Sequence, residues 1–148
     1  ITSWPTPYLV DFNGRTQVIT SATNRIRSYD LNSGEVIWEC SGMTRNVIPS
    51  PVMAHNIVYL ISGFRGNAAI AVDITKAKGD ITDTDAIVWK YDINTPYTPS
   101  PLLMDNKFYF LKGKNVRIEF PKSIEKFFFN RGPQTVDVPG DQFHGVRR

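Results

Sequence analysis

Four arginines are the polar side chains best suited to recognition: Arg25, Arg27, Arg45 and Arg65. A guanidinium presents a planar fork of donors that matches a carboxylate or a phosphate. Arg65 lies between Gly63 and Gly66 in a tight turn, and Arg45 lies in a linking loop, so these two are the candidate contacts for an acidic ligand or partner. The competing reading is surface charge, or ion pairs between neighbouring sheets. Asp80, Asp83 and Asp85 alternate with Ile81, Thr82 and Thr84, a spacing of oxygen donors that suits Ca²⁺. The segment lacks the glycine and the distant Glu of an EF-hand loop, so a solvated loop is the stronger reading. Cys40 has no neighbouring His, and His55 and His144 have no partner at metal-ligand spacing. No Ser/His/Asp order, phosphate-binding glycine loop or carboxylate pair stands out. No catalytic residue, metal site or cofactor is therefore assigned, and Trp38 and Trp89 are read as core rather than as stacking surfaces for a ring ligand.

The elements that must carry these residues are strands. Ser28-Tyr29-Asp30-Leu31-Asn32-Ser33-Gly34-Glu35-Val36-Ile37-Trp38-Glu39 spells strand, turn, strand, with Gly34 free to take a positive φ. A second phrase occurs three times: Trp4-Pro5-Thr6-Pro7, Ile48-Pro49-Ser50-Pro51 and Thr98-Pro99-Ser100-Pro101. Each is followed by a short apolar strand, a polar turn, and a β-branched or aromatic run. The leading prolines fall 44 and then 50 residues apart. A period of about 40–50 residues with four strands per unit is the signature of a β-propeller. Proline cannot donate to a ladder and pushes its predecessor to extended geometry, so each phrase would steer the chain from the outer strand of one blade to the inner strand of the next.

Three units result. The first runs over about residues 5–42, with strands Pro7–Val10, Thr16–Ser21, Arg25–Asp30 and Glu35–Glu39. The second runs over about 49–91, with a longer insert, Ile74 to Asp85, before the strand that carries Trp89. The third, 99–115, supplies two strands ending near Leu111. The expected fold is all-β: a partial β-propeller of four-stranded antiparallel meanders over 1–115, followed by an irregular tail over 116–148. Ser123 to Phe129 is expected to make a helical turn or two within that tail.

Pro-Ser-Pro with an apolar strand, Asn-Ile-Val-Tyr-Leu-Ile-Ser-Gly, and Tyr-Asp-Leu-Asn-Ser-Gly-Glu-Val-Ile-Trp-Glu together resemble the repeat of the quinoprotein-like (PQQ-repeat) β-propellers. The resemblance spans roughly Trp4 to Asn115. It implies a toroid of roughly four to eight blades, a periplasmic or secreted location, and a scaffold that binds protein or polysaccharide through its loops. The alternative it implies is a fragment of a PQQ-dependent dehydrogenase. Such enzymes use an adjacent cysteine pair, calcium with acidic ligands and a catalytic aspartate, and the sequence offers a lone Cys40 and no matching acidic set. About two and a half blades leave faces and edges bare, so the ring is expected to be completed by further blades or by self-association.

Composition agrees with a globular domain. The chain has 148 residues, 41% hydrophobic and 21% charged. A net charge of +3 does not by itself argue for nucleic acid. Six Lys/Arg against four Asp/Glu lie after residue 115, and eleven against ten before it. One cysteine permits no intrachain disulfide, and no apolar run approaches the length of a membrane span. The sequence opens at Ile1 in mid-pattern, without an initiator Met or signal-peptide pattern, as expected of a mature product or an excised piece. After Asn115 the repeat stops, as expected of a truncated or non-native terminus, with a divergent cap as the alternative reading.

Overall fold

Twelve strands and no helix make up the described residues, 2–104, 107–112 and 115–119, of this computed structural model. The described residues are all-β, in three successive sheets. The first contains β1 (Tyr8–Phe12), β2 (Arg15–Ala22), β3 (Arg25–Asp30) and β4 (Val36–Ser41) in sequence order. The second contains β5 (Val52–Ala54), β6 (Ile57–Ser62), β7 (Ala68–Asp73) and β9 (Ile87–Tyr91). The third contains β10 (Leu102–Met104), β11 (Lys107–Lys112) and β12 (Asn115–Glu119). Each is an antiparallel meander, because every connection within it is short except the insert before β9. The first turns of sheets one and two are two-residue turns with both residues at positive φ: Asn13 and Gly14 (52° and 73°), and His55 and Asn56 (50° and 63°). That turn follows the twist of its flanking strands, and Asn and Gly tolerate it best.

Two features depart from the expected organisation. The insert Ile74 to Asp85 is more than a loop. Its residues Gly79–Asp80 form β8, which pairs in parallel with β4 and gives the first sheet a fifth strand. β4, which carries Trp38, is therefore not the outer edge of its sheet, the place expected for the last strand of a blade. The third sheet also continues beyond its expected two strands and past the boundary at 115, since β12 pairs with β11 from Asn115 to Glu119. The rest of the expected tail, including the helical turn over Ser123 to Phe129, lies outside the described residues, as does the turn Asp105-Asn106.

The middle sheet is buried on both faces, and its period-2 pattern shows how. Val58, Leu60, Ile70 and Val72 join Ile19, Ile26, Trp38 and Cys40 in a core between sheets one and two. Their neighbours Tyr59, Ile61, Ala69 and Ala71 join Phe108 and Phe110 in a core between sheets two and three. Such unbroken apolar runs fit a strand covered on both sides. The sheets also match position by position. A bulge falls at Ser28/Tyr29 in the first and at Ala71/Val72 in the second, and it leaves Trp38 opposite Ser28 and Trp89 opposite Ala71. Trp38 is fully buried against the second sheet. Trp89 packs toward the third, its ring 6.2 Å from that of Phe108.

Candidate functional site

The site is built at the end of the molecule where the β6–β7 turn meets the two connectors between sheets. Gly63 opens that turn. A Cβ there would run into the carbonyl oxygens of Thr95 and Pro96, so only glycine admits this approach of backbone to backbone. Thr95, fully buried, fastens the contact. Its Oγ1 donates to the Ser62 carbonyl at 2.5 Å and accepts from the Ala68 amide at 3.1 Å, and its own amide donates to Asn67 Oδ1 at 3.0 Å. The other connector is held from the same turn, by the Thr44 amide donating to Ser62 Oγ at 3.0 Å. Thr44 Cγ2 also limits the space at Gly66, where a Cβ would meet it at 3.0 Å.

Arg65 sits at the tip of this braced turn with φ at 50°, an uncommon conformation for a residue with a side chain. Its guanidinium carbon lies 5.4 Å from the centroid of the Phe64 ring, and Phe64 stands 4.8 Å from the ring of Tyr97 in the second connector. Arg45 is exposed in the first connector, next to Thr44. The two candidate arginines thus share one end of the molecule on adjoining loops, and neither forms an ion pair among the described residues. Lys112 Nζ joins them by donating to Asn67 Oδ1 at 3.2 Å. Neither Lys112 nor the Phe64–Tyr97 pair was singled out from sequence. They come from the β6–β7 turn, the second connector and the end of β11, and the only signal was an aromatic residue beside the Gly- or Pro-bearing bends.

Arg25 and Arg27 belong elsewhere. Both pair with Glu39 of β4, at 2.7 and 2.8 Å, on the outer face of the first sheet. The pairs lie within one sheet, because β3 and β4 are neighbours there, and do not bridge two sheets.

The aspartates of the insert do not converge. Asp80 Oδ1 accepts from the Thr82 amide at 3.0 Å and from its hydroxyl, and these bonds lower its pKa. Asp83 faces Lys90 and Asp85 faces Lys76. Among the described residues no three His, Cys, Asp or Glu side chains gather at one point. Cys40 is fully buried and its thiol is pushed up to about 12, chiefly by desolvation, so it is a poor nucleophile. Among the described residues the single cysteine lies inside the core, and the three aspartates of the insert point to separate partners. His55 is exposed in its turn, and His144 lies outside the described residues. No helix among the described residues is long and apolar enough to cross a membrane.

The chain matches no protein-family model and no curated protein.

Proposed function

We propose that this chain is a segment of a quinoprotein-like β-propeller that acts as a non-catalytic binding scaffold of the bacterial envelope, periplasmic or secreted. The blade reading is supported by three meanders in succession, with bulges and indoles at matching places in the first two. Its ring is completed by further blades or by copies of itself. Its ligand is an acidic protein or polysaccharide, held at the end that carries Arg45 and Arg65.

One observation carries the binding reading. The Arg65 guanidinium lies over Phe64, which packs on Tyr97, on a turn braced by Gly63 and Thr95. A braced cation beside ring faces offers charge pairing and stacking at little entropic cost, because the backbone is already fixed. Titration with a uronate polysaccharide and with a polyglutamate chain tests it. Arg65→Ala is expected to weaken the binding partner roughly tenfold, the worth of one charge-assisted contact, with an unchanged unfolding midpoint. Equal affinity of the variant, or no binding of either probe, ends the reading.

A further inference from the structure

The second sheet presents one row of side chains to the first sheet and another to the third. In the second sheet the backward row is Met53–Val58–Val72–Ile87, four residues in register across the strands, packed into the core shared with sheet one. The matching row of the first sheet is Leu9–Val18–Tyr29–Val36, again in register. Nothing described precedes it, and Leu9 is 59% and Val36 49% exposed. The forward rows repeat in the same way. Tyr8–Ile19–Ser28–Trp38 meets sheet two, and Val52–Tyr59–Ala71–Trp89 meets sheet three. In sheet three the corresponding row begins Leu102–Tyr109, and Leu102, at 57%, is exposed together with Met104 and Leu111 of the same face.

A line of hydrogen bonds runs alongside these rows. The Thr6 amide donates to Ser50 Oγ at 3.0 Å, and the Ser50 amide donates to Ser100 Oγ at 2.9 Å. These are the middle residues of the three Pro-Ser/Thr-Pro phrases. Among the described residues, the Ser100 amide donates to nothing and Thr6 Oγ1 accepts from nothing. One end of the molecule therefore carries a spare donor beside an apolar forward row. The other carries a spare acceptor beside the Leu9–Val18–Tyr29–Val36 row, with the Arg25 and Arg27 pairs to Glu39 farther along the same face.

We propose that these two faces bind each other between copies of the chain, head to tail, with the Ser100 amide of one copy donating to Thr6 Oγ1 of the next. The proposal rests on the repeat reading above and names the surface by which the ring is completed. The contact is heterologous, so it closes only when the rotation per copy divides the circle. Two copies of three sheets give six sheets, within the range of closed propellers, and the expected assembly is a dimer with two identical contacts.

Paired cysteines in the whole chain test it. Thr6→Cys with Ser100→Cys should yield a disulfide-linked dimer on mild oxidation. Ser50→Cys with Ser100→Cys should yield a bridge within one chain, and Cys40 is buried and does not compete. Independently, Leu9→Arg and Leu102→Arg change exposed positions and should each abolish the dimer in sedimentation experiments. Mixing the two variants should restore a dimer, since one intact contact can form between them. The proposal is overturned if the unaltered chain stays monomeric up to its solubility limit, or if the first cysteine pair fails to link copies while the control bridge forms. A monomer whose Leu102 face is covered by residues 120–148 or by another sheet falls in that class. Failure of the control bridge instead sinks the repeat reading itself.

Discussion

The amide of Ser50 donates to Ser100 Oγ, fifty residues on, while Ser50 Oγ accepts from the amide of Thr6, forty-four residues back. The small polar residue between two prolines thus does more than steer the chain. Its neighbours cannot donate, so its amide and hydroxyl alone join each sheet to the next at this point. Ser50→Ala removes the acceptor for Thr6, and Ser100→Ala removes the acceptor for Ser50. Each is expected to lower unfolding stability by about 1 kcal/mol, and because the bonds are separate, the double variant should show the sum. Urea titration of the three variants checks this. A double variant no weaker than either single one would show that the two bonds act as one.

The braced turn makes a sharper contrast. Gly63→Ala would force a Cβ into the backbone of Thr95 and Pro96, and is expected to cost about 3 kcal/mol, with loss of ligand binding at the Arg65 end. Gly34→Ala meets nothing within 4 Å and suffers only its φ of 75°, so about 1 kcal/mol is expected, with binding intact. Thermal melts and ligand titration of the pair separate close approach from backbone conformation.

Two buried serines of the first sheet should respond in opposite directions. Ser28 Oγ donates to Gln17 Oε1 at 2.7 Å, which also accepts from Trp38 Nε1 at 3.2 Å. Ser21 Oγ is buried with no hydrogen-bond partner among the described residues. Ser21→Ala removes an unsatisfied hydroxyl and is expected to stabilise the chain by about 1 kcal/mol. Ser28→Ala breaks a satisfied network and is expected to destabilise it by about 2 kcal/mol. Urea midpoints decide the sign of each.

Alkaline pH should unfold the chain through two groups. Burial raises the Cys40 thiol from 9.0 to about 12 and the Tyr59 hydroxyl from 10.0 to about 12. The unfolded chain then releases these protons first, so their contribution is intact below pH 9 and declines as pH rises toward about 12. Urea midpoints measured against pH should fall over that window. In Cys40→Ala and Tyr59→Phe the fall should be shallower, whatever their absolute stability.

Much of the strand order was legible because local chemistry and burial agree. Strand β3 falls on its expected residues, and Val58-Tyr59-Leu60-Ile61 declares a strand by its composition alone. The equivalence of Trp38 and Trp89 followed from spacing. Strand β8 was not legible, since Gly79 and Asp80 have poor strand propensity and pair only because the edge of β4 lies within reach. β12 was missed because Asn115 to Glu119 breaks the repeat phrase, although Val116 and Ile118 alternate with polar neighbours as a strand should. At the site, the exposed arginines were visible as residue types. The ring pair Phe64–Tyr97 and the placement of Lys112 depend on two distant bends and the end of β11 converging, which no local pattern encodes.

The parallel strand β8 alters what can be cut from this molecule. Its two residues belong to the second repeat by sequence, yet they bond to the flank of the first sheet, and Ser41 is tied there to Thr82. Severing the chain within the connector 42–51 would leave the two halves laced together. The smallest piece able to stand alone is therefore a couple of adjoining repeats, and a lone first repeat should emerge with a raw flank prone to aggregation.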